Sequence, residues 1–184
     1  MSIITYQSNV LLLKLAPTNT NYPSMEDIYR GKVRVRVCGL LISDAGILLL
    51  KHLNLGPKGH IWAPPGGGVE FGHQATDVLR QEFLEETGLI IDVGNFLFTN
   101  EYIDEKYHAI ELFFEVQAVD GQLKLGTDPE LAADQQILAD IKYFNDFELA
   151  NEDQDNLHNL FRETRSLALL KELRGFFKFH RRES

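Results

Sequence analysis

The sequence predicts an α+β fold, an α/β/α sandwich with a mixed β-sheet between helices, and three observations lead to this prediction. An alternating run rich in β-branched residues, Val33 to Ser43, is typical of a strand. After a turn, a second strand and a glycine-rich loop, residues 74–87 show the apolar spacing of one amphipathic helix. Further strand-like runs and a helical stretch follow. Strands on both sides of a single helix, with helical residues closing the chain, favour a sheet covered by helices.

The individual elements follow from residue type in chain order. Asp44 to Gly46 predicts a turn, and residues 47–51 predict a returning strand. Gly88 follows the amphipathic helix at the position where a left-handed residue commonly ends a helix. The same reasoning predicts strands at 90–102, 108–119 and 141–144, a hairpin-type turn at Asp120-Gly121, and helix over residues 151–179.

These elements predict one domain with an appendage at its beginning. Residues 1–30 contain Pro17 and Pro23, which break regular structure, and we interpret them as an N-terminal extension. Residues 31–150 form the predicted domain, and residues 151–184 form a C-terminal helical segment of the same domain. A chain of 184 residues is long enough to bury a substantial core.

Composition restricts the classes of function. A formal net charge of −9 argues against a general nucleic-acid binder or a binder of anionic membranes, because phosphate backbones attract clustered cations. The single cysteine, Cys38, excludes an intramolecular disulfide and a CxxC zinc site. The sequence shows no convincing secretory signal and no run long enough to span a membrane. We therefore expect a cytoplasmic protein that binds neither nucleic acid nor an anionic membrane.

The segment with the clearest chemistry is the amphipathic helix. Glu82, Glu85 and Glu86 are spaced i, i+3 and i+4, so their carboxylates share one helix face and repel one another. A bound cation would neutralise this repulsion, and oxygen ligands alone select a hard ion, Mg²⁺, with Mn²⁺ as a substitute. The alternative is a solvated acidic helix face. The glycine triplet at residues 66–68 favours the metal site, because glycines let backbone approach a phosphate or a metal.

Together the glycine loop and the acidic helix resemble the Nudix box, G-x5-E-x7-R-E-U-x-E-E-x-G-U, where U is a bulky apolar residue. Counted from Gly67, the spacing fits without gaps, and the flanking strands extend the resemblance over roughly residues 31–150. The matching residues are Gly67, Glu82, Phe83, Glu85, Glu86, Gly88 and Leu89. The resemblance implies Mg²⁺-dependent hydrolysis of a diphosphate bond in a nucleoside diphosphate derivative of the nucleotide-sugar, ADP-ribose or nucleoside-triphosphate type.

The resemblance also implies roles for individual residues. The metal would be held by the Gly66 carbonyl and by Glu82, Glu85 and Glu86, and the catalytic residues would be Glu82, Glu86 and Glu130. The family places its general base either in the box or in a later loop, so Glu86 and Glu130 are both candidates, with Asp134 and Asp140 as weaker competitors. From the residues alone, exposure to solvent is the default for Arg34, Arg36 and Lys51, and binding of substrate phosphates is the functional alternative.

Two positions depart from the box, since His73 stands in place of glutamate and Gln81 in place of arginine. In the family these positions brace the helix and its preceding loop. We expect a hydrogen bond between the imidazole and the amide to replace the missing ion pair, worth about 0.5–1.5 kcal/mol. The departures also leave open a nucleotide-sensing module without catalysis. Isoprenoid diphosphate isomerase chemistry is a remote third possibility, for which no suitably placed cysteine is found.

Trp62 and the C-terminal segment each have two interpretations. Trp62 could stack on a base, but packing beneath the glycine loop is the expected role. The C-terminal segment is basic and amphipathic, which can indicate a membrane surface or a partner. We expect it to dock on its own acidic domain or on a second copy in a homodimer.

Overall fold

The computed structural model describes residues 31–105, 107–128 and 134–180. The strands within them are β1 (Val33–Ser43), β2 (Gly46–Leu53), β3 (His60–Ala63), β4 (Gly66–Gly68), β5 (Leu89–Ile103), β6 (His108–Gly121), β7 (Leu138–Phe144) and β8 (Gly175–His180). The helices are α1 (Ala75–Thr87), α2 (Asp146–Asn151) and α3 (Leu167–Glu172), with 3₁₀ turns at Gln154–Asn156 and Asn159–Arg162. The predicted extension, residues 1–30, and Glu130 lie outside the described residues.

The described strands form one mixed sheet in the order β3-β2-β1-β6-β5-β8, with β4 also paired to β1 and β7 to β2. Strand β1 runs parallel to β6, which places Arg36 opposite Glu111. On its other side β1 runs antiparallel to β4, which places Arg36 opposite Gly68 and Cys38 opposite Gly66. The register of β1 therefore sets the glycine triplet and Glu111 on either side of Arg36.

Helical layers cover both faces of the sheet, as predicted. On one face, α1 packs its buried side chains Val78, Leu79 and Phe83 against Val37 and Leu41 of β1. Burying such side chains is worth about 1.5–3 kcal/mol each. The opposite face is covered by the C-terminal segment, whose buried residues are Leu157, Leu160, Phe161 and Leu170. The fold class predicted from the sequence is confirmed.

Helix α1 matches the predicted helix to within one residue. It ends at Thr87, and Gly88 adopts a left-handed φ of 69° while its N–H donates to the Leu84 carbonyl. Since a left-handed residue is the common end of a helix, the glycine at this point of the sequence is a reliable boundary signal. None of the helices in the described residues is long and apolar enough to cross a membrane.

The C-terminal segment corrects one prediction. Residues 151–179 were expected to be helical, but only short helical pieces form, and residues 175–180 are strand β8, paired in parallel with β5. Gly175 has a φ of 112°, which a helix cannot accommodate. Phe177 then packs edge-on against Phe98 of β5, with 5.5 Å between ring centroids. The pairing with β5 overrides the helical apolar spacing of this stretch.

The glycine-rich loop contains two short strands that the sequence did not reveal. Strand β3 pairs with β2, and β4 pairs with β1, although both lie in a stretch of glycines and prolines that predicts a loop. Trp62 of β3 is buried and packs edge-on against Phe144, with 4.9 Å between ring centroids. Its expected packing role is therefore the one the structure shows.

Candidate functional site

The site is built around Gly66, the first residue of β4. Its φ of +149°, and a Cβ position that would lie 2.1 Å from the Val37 carbonyl oxygen, exclude any other residue without backbone movement. The Gly66 N–H donates to Oε2 of Glu86 at 3.0 Å. The Gly66 carbonyl accepts from the Arg36 guanidinium at 3.1 Å. Gly66 thus joins helix α1 to strand β1 through its own backbone polar groups.

Glu86 is the most deeply buried acid of the helix, with 5% of its surface exposed. Burial raises the pKa of its carboxyl to about 8, with the negative charge of Glu82 as the next cause, while the Gly66 N–H and Arg36 act in the opposite direction. A carboxylate in this position gains from a nearby cation, because the cation offsets both the burial and the like charge.

Glu82 lies one helical turn before Glu86 and directly against the glycine strand. A methyl group at Gly67 would lie 1.8 Å from Glu82 Oε1, so only glycine leaves room for this carboxylate. The third box glutamate, Glu85, instead accepts a hydrogen bond from the Gln81 side-chain amide at 2.9 Å. The structure therefore brings Glu82 and Glu86 together, with Glu85 bonded to its helix neighbour.

The expected hydrogen bond between His73 and Gln81 is wrong. The Gln81 amide is engaged by Glu85, and the exposed His73 has its backbone N–H bonded to the Glu70 carbonyl at 3.2 Å. On a helix surface, a glutamine meets a partner four residues on more readily than one across a loop. Neither side chain of the altered positions therefore braces the glycine loop in the manner predicted.

The donors at Glu82, Glu86 and the Gly66 carbonyl fit a hard divalent cation. Within the described ranges, no group of three or more acidic, histidine or cysteine side chains could hold a metal ion by itself. Mg²⁺ does not require such a group, because one or two carboxylates with waters and substrate phosphates complete its octahedron. The Gly66 carbonyl has two lone pairs, so it can accept from Arg36 and still face a cation.

The three cations predicted to bind phosphates occupy different surroundings. The Arg34 guanidinium borders Gly68, where an added Cβ would lie 3.0 Å from it. Arg36 is directed at the Gly66 carbonyl. Lys51 points its ammonium at the Trp62 ring, 5.9 Å from the centroid. Arg34 and Arg36 thus adjoin the glycine strand, whereas Lys51 does not share their surroundings.

The loop after β6 docks on the end of helix α1. The Gly126 N–H donates to the Glu86 carbonyl at 2.8 Å, and the Lys124 N–H donates to the Thr87 carbonyl at 3.0 Å. Asp128 follows, and its charge is one of the influences that raise the pKa of Glu86. Sequence reasoning named Glu130, which lies outside the described residues, and missed Asp128. The competitors Asp134 and Asp140 are both exposed.

A buried polar cluster beside Arg36 was also missed. Glu111 of β6 has 6% of its surface exposed and accepts from the Asn100 amide at 2.6 Å. His158 of the C-terminal segment lies 3.2 Å from the same carboxylate. One signal was available, because Glu111 interrupts an apolar strand in phase with the buried Phe113. Its partners could not be found that way, since they are distant in sequence.

His52 of β2 is a further buried ionisable group, with 7% of its surface exposed. Burial lowers the pKa of its imidazole to about 3, helped by the positive charge of Arg36, so the ring is neutral. Its Nε2 has no hydrogen-bond partner in the part of the chain that the structure describes. A neutral ring in this place adds no positive charge beside Arg36.

Comparisons with known proteins agree with this architecture. The family model described as "NUDIX domain" matches residues 32–159. An ADP-ribose pyrophosphatase of Methanocaldococcus jannaschii is 37% identical over 100 residues, which are 53% of this chain and 59% of that protein. The nucleoside triphosphatase NudI of Escherichia coli is 30% identical over 107 residues, 52% of this chain and 76% of that protein. The chain thus matches less than two thirds of the archaeal relative's length.

Solved structures resemble the fold as well. A NUDIX hydrolase from Nitrosomonas europaea superposes with a TM-score of 0.60 at 18% identity, covering 72% of this chain and 85% of that one. At this level of identity the likeness shows the fold alone.

Proposed function

This chain belongs to the NUDIX domain family, and on that basis we propose that it hydrolyses a diphosphate bond in a nucleoside diphosphate derivative. One observation carries the proposal. Glu82 and Glu86 are held against the glycine strand, and burial with like charge raises the pKa of Glu86 to about 8. A sensing module that never binds a cation would have no use for this arrangement, whereas a hydrolase needs it.

Hydrolases of this family generally use divalent metal ions. We propose Mg²⁺ here, with Mn²⁺ as a substitute, held by Glu82 and Glu86 with the Gly66 carbonyl facing it. Glu85 as a further ligand stays a prediction. When bound, such an ion polarises phosphoryl oxygens and lowers the pKa of a coordinated water. The chain itself fixes the Glu86 carboxylate through the Gly66 N–H at 3.0 Å, so that this ligand is oriented in advance.

The reaction is a displacement at phosphorus. The oxygen of water bonds to one phosphorus, the bond from that phosphorus to the bridging oxygen breaks, and the other phosphate leaves with that oxygen. Glu86, Asp128 and Glu130 are the proposed acceptors of the water proton. The names of the relatives support ADP-ribose or a nucleoside triphosphate as the substrate, and ADP-ribose comes first because its hydrolase is the more identical of the two.

The test is a product screen with ADP-ribose, UDP-glucose and a nucleoside triphosphate, each with Mg²⁺, with Mn²⁺ and with chelator. Products are separated by ion-exchange chromatography. We expect cleavage of at least one compound, dependent on the cation and reduced about 10²–10³-fold in Glu86→Gln. The matched control is Glu115→Gln, an exposed glutamate of β6. Saturable nucleotide binding without any product would support the sensing alternative.

The remaining proposals concern partners. The net charge of −9 favours a small phosphate compound over nucleic acid or an anionic membrane. A cytoplasmic location and a homodimer stay predictions, and light scattering of the purified chain checks the second.

A further inference from the structure

The polar cluster around Glu111 lies outside the box but reaches it through Arg36. The Asn100 amide, fully buried, donates to Glu111 at 2.6 Å and contacts the Asn159 side-chain oxygen at 3.1 Å. The Arg36 Nε lies 3.9 Å from Glu111 Oε1, within ion-pair distance. Residues of β1, β5, β6 and the C-terminal segment therefore converge on one carboxylate.

His158 is oriented by backbone groups on both sides. Its Nδ1 accepts from the Leu160 N–H at 3.2 Å, so the ring proton on Nε2 is the one that faces Glu111. The His158 backbone N–H donates to the Trp62 carbonyl at 2.8 Å. The C-terminal segment thus presents a donor to Glu111 in a fixed geometry, and rotation of Glu111 away from Arg36 would break this contact.

A buried charge such as that of Glu111 is tolerated only with compensating partners. Burial alone would raise its pKa, but His158, Arg36 and the Asn100 amide outweigh burial and lower the pKa to about 2. Glu111 therefore remains ionised at neutral pH and supplies a counter-charge for Arg36. The Arg36 Nη2 donates to the Gly66 carbonyl at 3.1 Å.

We propose that Arg36 and Glu111 are positioning residues of the site: Glu111, fixed by Asn100 and His158, holds the Arg36 guanidinium, which holds the Gly66 carbonyl next to Glu86. This inference rests on the proposed function. It gives Arg36 a role different from the phosphate contact expected from the sequence. It also identifies what supports the glycine strand in a chain whose box lacks the charged pair at positions 73 and 81.

The sign of one effect separates positioning from simple electrostatics. Arg36 carries a positive charge beside Glu82 and Glu86, so its removal would tighten cation binding if charge were its only contribution. If it positions Gly66, its removal weakens cation binding instead. Loss of an outer partner of a metal ligand typically lowers affinity about 10–100-fold.

The experiment measures Mn²⁺ binding to the full chain without nucleotide, by electron paramagnetic resonance of free Mn²⁺. We expect Arg36→Gln and Glu111→Gln to weaken binding about tenfold or more. Glu115→Gln removes a negative charge from β6, as Glu111→Gln does, but at an exposed position. Its Mn²⁺ affinity is expected to match that of the wild type. Unchanged or tighter binding in Arg36→Gln overturns the proposal.

Kinetics and a conservative variant complete the test. Arg36→Gln should lower kcat with little change in KM, whereas a rise in KM alone would make Arg36 a phosphate ligand and overturn the proposal. Arg36→Lys keeps a charge near Glu111 but lacks the fork that reaches Gly66 as well, so Mn²⁺ affinity should fall there too. If Arg36→Gln does not fold, the Mn²⁺ affinity of Arg36→Lys tests the proposal in its place. A wild type that binds Mn²⁺ but cleaves no nucleotide contradicts the proposed function alone.

Discussion

Glu86 and Glu111 are two acids buried to nearly the same extent, with 5% and 6% of their surfaces exposed, yet their pKa values move in opposite directions. Burial raises the pKa of Glu86 to about 8, and the charge of Glu82 adds to the rise. The pKa of Glu111 falls to about 2, because its surroundings outweigh burial. Depth of burial therefore does not determine the charge state of a carboxyl in this protein.

The difference lies in the partners. Glu86 has one backbone N–H, from Gly66, and a second carboxylate beside it. Glu111 has an imidazole, an amide and a guanidinium around it, from His158, Asn100 and Arg36. Glu86 still lacks a full counter-charge and can receive a cation, whereas Glu111 already has its counter-charge. Glu86 is therefore suited to binding a cation, and Glu111 is suited to holding Arg36 in place.

The largest expected effect comes from removing the acid that can receive a cation. Glu86→Gln keeps an acceptor for the Gly66 N–H but loses the charge, so turnover should fall about 10²–10³-fold, as when one preorganised electrostatic contact is removed. Without divalent ions the melting temperature should rise above pH 8, where the buried charge and its repulsion with Glu82 disappear, and should stay nearly the same at pH 7. Turnover and thermal unfolding in chelator measure the two effects. Near-wild-type turnover would remove Glu86 from the site.

The supporting acid should show itself in the pH dependence of stability. The folded pKa of Glu111, about 2, lies below its ordinary value of 4.5. Its ionised form therefore stabilises the fold above pH 4.5, and this contribution is lost as the pH falls through 2. The difference corresponds to roughly 3 kcal/mol.

Urea unfolding at several pH values between 6 and 2 measures this contribution. Glu111→Gln should be less stable than the wild type at pH 6, and the gap between the two should narrow towards pH 2. Glu115→Gln, with its exposed side chain, should follow the wild type throughout. An equal gap at every pH would mean that Glu111 contributes by packing and not by its charge.

A third prediction separates the two glycines that contact the glutamates. The three atoms nearest to a methyl group at Gly67 all belong to the Glu82 side chain, with Oε1 at 1.8 Å, and this flexible side chain can swing away. Gly67→Ala should therefore lower Mn²⁺ affinity about tenfold while changing the melting temperature little. Gly66→Ala is the contrast, because its methyl group would meet the Val37 carbonyl oxygen at 2.1 Å. Gly66→Ala should therefore lose much of its stability. Equal melting temperatures for the two variants would contradict the claim that Gly66 is required by the backbone and Gly67 by the Glu82 side chain.

The same two acids show how much of the site could be predicted from the sequence. The acidic helix and its glycine loop are contiguous in sequence, so spacing alone placed Glu82 and Glu86 on one face and predicted α1 to within a residue. Local pattern was enough there because the helix and its Gly88 end are specified by nearby residues.

Glu111 and its partners show where that approach stops. His158 and Asn100 meet Glu111 only after β5, β6 and the C-terminal segment assemble, and no local pattern encodes their distance. The same limit explains strand β8, since pairing with β5 outweighed an apolar spacing that also suits a helix. Sequence patterns reveal chemistry placed on one element and miss chemistry shared between elements.

The smallest expected effect is at the two altered box positions. The Gln81 amide donates to Glu85 at 2.9 Å, and the His73 side chain is exposed. A double-mutant cycle with His73→Glu and Gln81→Arg compares free energies of unfolding obtained from thermal melts. It should therefore show a coupling energy below about 0.5 kcal/mol. A matched cycle with Gln81→Arg and Glu85→Gln should show a coupling of a few tenths of a kcal/mol, because that pair is in contact on the helix. A coupling above about 1 kcal/mol between positions 73 and 81 would mean that the loop can restore the family's ion pair across its base, and that Arg36 is not the main support of the glycine strand.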